Sequence, residues 1–206
     1  MEYNEEYYKT LNYVDYLSRQ DRYTKLATEV TDLLKKLNLI DEFSAIMDYG
    51  CATGMLVKAL QDLGYGGTFG FDISDWATQQ AKKIVQGSSQ HIISKSDLVD
   101  LVTCYSLMPF NIMFCLDVLE HMEDASIRAA FSMFPSDTLI VRIPCSTNEG
   151  KSFHLDVSNR DKSHINCKTK EEWIKFFKYF GYNNVFKLNL LTIYDSEGVF
   201  CALLTK

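Results

Sequence analysis

The sequence predicts an α/β fold, built on a mostly parallel sheet with helices on both faces. From residue 43 onward, short apolar runs alternate with segments of helical periodicity, and this alternation is typical of a parallel sheet with crossover helices. The chain ends in two apolar runs, VFKLNLLTIY and VFCALLT, joined by DSEG. Two strand-like runs around such a turn predict a hairpin, which adds an antiparallel strand to the sheet.

The chain before residue 41 is expected to form a helical cap. Its longer helix has one apolar face, formed by Leu26, Val30, Leu33, Leu34 and Leu37. A shorter amphipathic helix is indicated before it by Tyr7, Leu11 and Val14. Because no repeat or Pro/Gly-rich linker interrupts the chain, we expect a single domain over residues 1–206, with the cap at 1–40 and a core at 41–206.

The core alternates strands and helices in a regular order. The expected strands are SAIMDYG, GTFGFD, HIISKS, FNIMFCLD and TLIVRIP, and the expected helices are CATGMLVKALQDLG, SDWATQQAKKIVQG, SIRAAFSMF and KTKEEWIKFFKYFGY. Ser74 or Asp75 is expected to cap the second of these helices, and Thr169 the last one, because their side chains can accept hydrogen bonds from backbone N–H groups. Glycines are expected to end three of the helices, namely Gly64, Gly87 and Gly181.

Composition excludes several classes of protein. The 206 residues carry a net charge of −6, which argues against extended binding to a nucleic-acid backbone. Six cysteines without a Cys-x-x-Cys pair are typical of buried thiols in a reducing compartment. No apolar stretch is long enough to span a membrane, and the acidic, aromatic N-terminus is unlike a signal peptide. We therefore expect a cytoplasmic protein without a membrane partner.

The turn after the first core strand is the strongest motif. Asp48 ends the apolar run, and Gly50 and Gly54 frame the turn into the next helix. A strand, a glycine turn and a helix in this order bring backbone N–H groups close to a ligand. The spacing Asp-x-Gly-x-x-x-Gly differs from the Gly-x-Gly-x-x-Gly of dinucleotide pyrophosphate binding. That difference favours a nucleoside ligand without phosphates.

A carboxylate follows each of the next three strands. Ligands of open α/β sheets bind at the carboxyl ends of the strands. Asp72 follows the second strand, where a carboxylate can accept hydrogen bonds from both hydroxyls of a ribose. Asp97, after the third strand, is placed to accept an adenine amino group, with the Leu98 N–H donating to the ring. Asp117 ends the fourth strand, within CLDVLEHMED.

These motifs resemble those of the class I S-adenosylmethionine-dependent methyltransferases. IMDYGCATGMLVKAL resembles their first motif, and CLDVLEHMED is similar to the fourth motif of members that act on small molecules. The resemblance covers about residues 40–206 and implies a Rossmann-like, doubly wound sheet of seven strands. It implies S-adenosylmethionine as the cofactor and S-adenosylhomocysteine as its product. The residues implied to bind the cofactor are Asp48, Gly50, Cys51, Ala52, Gly54, Asp72, Ile73, Asp97, Leu98, Leu116 and Asp117.

The tyrosine-rich front of the chain resembles the N-terminal lid of related enzymes. The residues that carry this resemblance are Tyr7, Tyr8, Tyr13, Tyr16, Arg19 and Arg22. One interpretation is that an arginine of the lid meets the carboxylate of the cofactor. The other is that this segment only packs on the sheet, and the sequence leaves both open.

The methyl acceptor is expected to be a small molecule, modified at oxygen or nitrogen. SHINCKTKEEWIKFFKYFGY looks like the tail of methyltransferases that modify sugars or other metabolites. Methyl transfer needs alignment above all, and a hydroxyl acceptor usually also needs a general base. The long polar segment 144–166, predicted to be irregular, and the end of the fourth strand offer candidates, namely His121, His154, Asp156, Asp161 and His164. We expect His164 to be the catalytic base, with His121 second, and no metal.

Two alternatives remain open from the sequence. A metal site formed by Asp117, Glu120, His121 and His164 is reminiscent of the RNA 3′-terminal ribose 2′-O-methyltransferases, which carry Glu-x-x-Glu-His. Here an aspartate replaces the first glutamate, and the acidic balance disfavours RNA. The second alternative is a non-catalytic S-adenosylmethionine-binding protein, since binding and turnover share the cofactor motifs. The acceptor and the oligomeric state are not determined by the sequence.

Overall fold

A computed structural model describes residues 3–10, 18–85, 89–97, 109–148 and 152–206. In these ranges the strands are β1 Ile46–Tyr49, β2 Thr68–Asp72, β3 Ile92–Ser94, β4 Phe110–Leu116, β5 Ser136–Pro144, β6 Asn184–Lys187 and β7 Val199–Thr205. The helices are α1 Gln20–Lys36, α2 Met55–Asp62, α3 Asp75–Ile84, α4 Asp124–Met133, α5 Asp156–Arg160 and α6 Lys170–Lys178. Short 3-10 turns lie at Tyr7–Lys9, Ser89–His91 and Leu119–His121.

The strands form one mixed sheet in the order β3-β2-β1-β4-β5-β7-β6. Strand β2 pairs in parallel with both β1 and β3. Strand β7 runs antiparallel to β5 on one side and to β6 on the other. The prediction of a Rossmann-like, mostly parallel sheet of seven strands with a closing antiparallel hairpin is confirmed. No helix in the described part of the chain is long and apolar enough to cross a membrane.

The chain divides into two compact units, Met1–Asn111 and Ile112–Lys206. In the first unit, α1 packs against α2 and buries Leu26, Val30 and Leu34 on its inner face. These three residues follow the predicted apolar stripe. The expected place of Leu37 in this stripe is wrong, because Leu37 lies just past the last helical residue and is 47% exposed.

The second unit is organised around the long β5–β7 pairing, which joins seven residue pairs from Thr138–Thr205 to Pro144–Val199. Helix α6 buries Trp173 and Phe177. The predicted cap is present, because the Thr169 side chain accepts from the backbone of Glu172 while the Glu172 side chain accepts from the Thr169 backbone. This reciprocal capping box satisfies two N–H groups that would otherwise lack partners. The predicted irregular segment 144–166 also contains α5.

Gly54 fixes the packing of the turn that leads into α2. Its φ is +77°, in the left-handed region that costs little only for glycine. A Cβ at this position would lie 2.9 Å from the Cβ of Ala81 in α3. Both the backbone conformation and the close approach of α3 therefore require a residue without a side chain.

The variant Gly54→Ala should lower the free energy of unfolding by about 2–4 kcal/mol, because a left-handed alanine and the crowding against Ala81 each cost roughly 1–2 kcal/mol. Urea denaturation measures this loss. Gly66→Ala is the matched control, since Gly66 has a φ outside the left-handed region and a Cβ added there would meet no atom within 4 Å. It should change stability by less than about 1 kcal/mol. Equal denaturation midpoints for the two variants would contradict this account of Gly54.

Candidate active site

The turn between β1 and α2 has an unusual backbone conformation. Gly50, Ala52 and Gly54 all have positive φ, at 83°, 47° and 77°. The N–H groups of Gly50 and Cys51 both donate to the carbonyl oxygen of Phe71 in β2, at 2.7 and 2.9 Å. Alternating left-handed residues give the turn the concave backbone that suits close approach of a ligand. The predicted residues Gly50, Cys51, Ala52 and Gly54 therefore lie together in one turn.

Asp72 at the end of β2 connects this turn to the start of α3. One of its carboxylate oxygens accepts from the Ala52 N–H at 2.8 Å, and the other accepts from the Ser74 N–H at 2.8 Å. The side chain is buried, and burial raises the pKa of Asp72 although the hydrogen bonds from the backbone lower it. A carboxylate offers about four lone-pair positions. Each oxygen of Asp72 thus keeps acceptor capacity beyond its backbone partner.

Asp48 lies in β1 and is 5% exposed. Burial and the negative charge of Asp72 raise the pKa of Asp48 to about 7. Its carboxyl group is therefore close to half-protonated at neutral pH. A cationic group bound nearby would favour its charged form.

The N-terminal segment packs beside Asp72 in the first unit. Tyr7 and Tyr8 are buried in a cluster with Ala52, Met55 and Ala77. The ring of Tyr8 stacks on that of Trp76 at 5.2 Å between centroids. Burial and the charge of Asp72 raise the pKa of the Tyr8 phenol, so the phenol stays protonated. Tyr7 and Tyr8 thus pack on the turn before α2 and on the first residues of α3, whereas Tyr13 and Tyr16 lie outside the described residues.

The remaining predicted residues of the first unit are more exposed. Asp97 accepts hydrogen bonds through Oδ2 from the backbone and side chain of Ser94 at 2.9 and 2.8 Å, and from Lys82 Nζ at 3.2 Å. The hydrogen bond from the Ser94 backbone N–H lowers the pKa of Asp97, and this effect is larger than the opposing effect of burial. Ile73 is 53% exposed, and Leu98 lies outside the described residues.

In the second unit, the end of β4 places Leu116 and Asp117 half-exposed. Asp117 has a left-handed φ of 56°, which is uncommon for a residue with a side chain. Its N–H donates to the Arg142 carbonyl oxygen at 2.7 Å, and both of its carboxylate oxygens accept from the Arg142 guanidinium. The charge of Asp117 raises the pKa of Arg142. This paired carboxylate is held to β5 by both its backbone and its side chain.

One buried and two half-buried ionisable side chains, Glu120, His121 and His164, form a cluster. Glu120 is 1% exposed, and its Oε1 lies 4.0 Å from Nε2 of both His121 and His164. One ligand-type atom from each of the three residues lies within 4.8 Å of the others. The backbone carbonyl oxygen of Glu120 accepts from the N–H groups of Ile165 and Asn166, each at 2.9 Å. These two bonds hold the His164 segment against the 3-10 turn Leu119–His121.

Burial favours the uncharged form of each member of this cluster. Burial and the charge of Asp117 raise the pKa of Glu120 well above its usual value. Burial and neighbouring His164 lower the pKa of His121 to about 4, and burial lowers the pKa of His164. Both imidazoles are therefore neutral at pH 7, and each has one nitrogen with a lone pair. Among the remaining candidate bases, His154 and Asp156 are exposed and lie outside the cluster.

Residues 18–186 match the family of proteins described as a methyltransferase domain. The chain belongs to this family. The predictions of a class I methyltransferase, and of S-adenosylmethionine as its cofactor, are confirmed. A search of curated protein sequences gives no significant match.

Solved structures of methyltransferases share the fold at low sequence identity. The methyltransferase domain of bacterial CtHen1 is 20% identical, with a TM-score of 0.57 and coverage of 88% of this chain and 98% of that chain. The magnesium protoporphyrin IX methyltransferase ChlM from Synechocystis PCC 6803, with bound SAH, is 18% identical, with a TM-score of 0.58 and coverage of 96% and 89%. The mitomycin 7-O-methyltransferase MmcR is 12% identical, with a TM-score of 0.57 and coverage of 92% and 54%. At this identity the likeness concerns the fold alone.

Several polar partners in this methyltransferase were not among the predicted site residues. Ser74 donates to the Tyr3 carbonyl oxygen and accepts from the Ala77 N–H at 3.1 Å. Asn166 donates to the Met122 carbonyl oxygen at 2.7 Å. Only Ser74 has a sequence signal, since Ser-Asp before a helical pattern is a typical helix start. Asn166 bonds to a carbonyl 44 residues away, and no local pattern indicates such a contact.

The variant Asp48→Asn should make the methyltransferase less sensitive to pH. The carboxyl pKa is about 7 in the folded protein and about 3.9 in an unfolded chain. The folded state thus keeps a proton that the unfolded state has released, and the wild type loses stability as the pH rises from about 4 to about 7. Since one pKa unit corresponds to about 1.4 kcal/mol, the variant should gain up to about 4 kcal/mol relative to the wild type at alkaline pH.

Urea denaturation of both proteins at about pH 5 and about pH 8 measures this difference. Asp62→Asn controls for the loss of one carboxylate, because Asp62 lies on α2 with 60% of its side chain exposed. Stability profiles of the wild type and Asp48→Asn that run parallel across this range would refute the proposed titration.

Proposed function

We propose that this methyltransferase transfers a methyl group to an oxygen or nitrogen atom of a small molecule, such as a sugar or another metabolite. The observation that carries the proposal is the pair of half-buried, neutral imidazoles of His121 and His164 beside the buried Glu120. Neutral imidazoles can accept the proton that a hydroxyl or an ammonium must lose. The net charge of −6 disfavours a nucleic-acid acceptor. We also propose that the chain forms one domain, since the family match at 18–186 extends through both units. A cytoplasmic location is a further part of the proposal.

On the donor side, we assign binding of the cofactor to the turn and strand ends of the first unit. S-adenosylmethionine supplies a methyl group on a positively charged sulfonium. The residues at 50–54 would accommodate the amino-acid part, because the left-handed backbone and the small side chains of this turn permit close approach. Asp48 would pair with its ammonium group, and Asp72 would accept from the two ribose hydroxyls with the remaining lone pair on each oxygen.

Three further residues of the first unit complete the proposed site. Asp97 would accept from the adenine amino group, with the Leu98 N–H donating to the ring. Ile73, with half of its surface exposed, offers an apolar face next to the ribose-binding carboxylate. In the second unit, Leu116 and Asp117 are proposed to border the methionine part.

On the acceptor side, the imidazole cluster would remove the proton of the acceptor. Because the pKa of His121 is about 4, its ring stays unprotonated and available throughout the physiological range. Such a ring is a weak base, so we infer that it takes the proton only as the new bond to the methyl group forms. Proximity and alignment then account for most of the rate enhancement.

A second candidate function is a metal-dependent ribose 2′-O-methyltransferase acting on RNA. The observation in its favour is that one ligand atom each from Glu120, His121 and His164 lies within 4.8 Å of the others. Carboxylate and imidazole are ordinary ligands for divalent ions. Two ligand atoms around a tetrahedral zinc lie about 3.4 Å apart, so the 4.0 Å separations in this cluster are slightly open. Asp117, which stands at the position of the first glutamate of Glu-x-x-Glu-His, is paired with Arg142 through both carboxylate oxygens.

The variant Asp72→Asn should weaken binding of S-adenosylhomocysteine by about 1–3 kcal/mol, or roughly 5- to 150-fold in Kd, because the amide replaces one acceptor oxygen with a donor. Titration calorimetry measures the affinity, and circular dichroism verifies the fold. Asp75→Asn is the control, since Asp75 is exposed on the first turn of α3. Unchanged affinity in folded Asp72→Asn would remove the ribose assignment.

Chelation separates the two candidate functions. We expect turnover of S-adenosylmethionine in a metabolite mixture to persist in EDTA, and titration of the wild type with Mn²⁺ to give only the heat of dilution. Glu120→Gln is the matched variant, because a genuine metal signal should disappear when this carboxylate is removed. Activity that is lost in EDTA and restored by Mg²⁺ or Mn²⁺ would favour the second function. No turnover with any acceptor, despite cofactor binding, would favour a non-catalytic protein.

A further inference from the structure

A polar chain of two residues, Asp161 and Ser163, leads to the Nδ1 atom of His121. The Ser163 hydroxyl lies 2.9 Å from Nδ1 of His121. The same hydroxyl makes a hydrogen bond to Oδ1 of Asp161. Asp161 and Ser163 are both buried, at 5% and 6% exposure, so these contacts are shielded from water.

The directions of these hydrogen bonds follow from counting protons. Asp161 Oδ1 also accepts from the Ser163 backbone N–H at 2.9 Å, which marks it as an acceptor. Because Oδ1 already accepts this N–H, it is also the acceptor in its contact with the Ser163 hydroxyl. A serine hydroxyl has a single proton to donate.

The single proton of Ser163 must therefore lie between Ser163 and Asp161. If the hydroxyl donated to His121 instead, two oxygen atoms in hydrogen-bond contact would face each other without a proton. Ser163 Oγ is then an acceptor toward His121, and Nδ1 of His121 carries the hydrogen. The lone pair of the neutral ring is left on Nε2, the nitrogen that lies 4.0 Å from Glu120.

We propose that Ser163 and Asp161 are positioning residues, which hold His121 in the Nδ1-protonated tautomer and so direct the basic Nε2 toward the buried cluster. The tautomer follows from hydrogen-bond geometry alone, whereas its role in proton transfer rests on the function proposed above. This arrangement favours His121 over His164 as the proton acceptor. Nδ1 of His164 is buried and has no hydrogen-bond partner among the described residues, so no contact like that of Ser163 fixes a proton on this nitrogen, and the His164 ring instead makes a hydrogen bond to the Ser158 backbone.

Nitrogen-15 NMR of the four histidine rings tests the assignment without any substrate. Long-range proton–nitrogen correlation spectra of the full chain in EDTA distinguish the two neutral tautomers, and the variant His121→Gln identifies the His121 signals by their loss. The wild type should show His121 protonated at Nδ1. A wild-type ring protonated at Nε2 would overturn the proposal, even if every variant below failed to fold.

Variants at Ser163 test whether its hydroxyl determines the tautomer of His121. Ser163→Ala removes the hydroxyl that accepts from Nδ1 but keeps the backbone hydrogen bond between His121 and Ser163, so it should raise the population of the Nε2-protonated tautomer, while Ser163→Thr keeps a hydroxyl and should retain the wild-type form. Ser158→Ala is the matched control, because Ser158 is a buried serine of the same segment. An unchanged tautomer in Ser163→Ala would also overturn the proposal.

Kinetics then separate this inference from the proposed function. With an active acceptor, Ser163→Ala should lower kcat about 10- to 100-fold, with KM for S-adenosylmethionine unchanged and activity recovered in Ser163→Thr. If the spectra show the expected tautomer but His121→Gln keeps full turnover, the positioning contact exists and the proposed base is wrong. If the tautomer is wrong while His121→Gln is inactive, the base stands and the positioning contact falls.

Discussion

One buried carboxylate, Asp72, holds together the part of the first unit proposed to bind the cofactor. A buried carboxylate is costly unless hydrogen bonds replace its water, and here the N–H groups of Ala52 and Ser74 do so. Those same bonds keep the left-handed turn before α2 and the first residues of α3 in place. The buried ring of Tyr8 adds to the low-dielectric surroundings of the carboxylate. Order in the turn and the capacity to accept further hydrogen bonds therefore come from the same group.

Burial has a different consequence in the second unit. Around Glu120 it raises the pKa of the carboxyl group and lowers the pKa of both imidazoles, and so opposes charge on every member of the cluster. Asp161 is the exception, because hydrogen bonds from Ser163 keep its charge. A cluster of neutral groups with one charged neighbour can move a proton with little change in solvation. This property suits proton removal from a substrate, and it leaves alignment of the reacting atoms as the main contribution to the rate.

The elements of the fold were largely predictable because they depend on local spacing. Alternating apolar runs indicated the strands, and Thr169 and Gly181 marked the ends of α6, where the capping box and a φ of +90° are found. Leu37 was misplaced because periodicity does not report where a helix ends. The short helix α5 was missed because its five residues, DVSNR, carry no apolar period. Predictions from local spacing are therefore least accurate for short elements and at the ends of elements.

The sequence by itself determined the order of strands and helices, the glycine turn at 50–54 and the family to which the chain belongs. These features follow from residues close together in the chain, whose spacing sets periodicity and backbone conformation. Only the tertiary structure decided that Glu120 faces His164, that Arg142 pairs with Asp117, and that Ser163 orients His121. Each of these contacts joins residues 25–44 positions apart. Their protonation depends on burial, which arises only when distant segments pack together and exclude water.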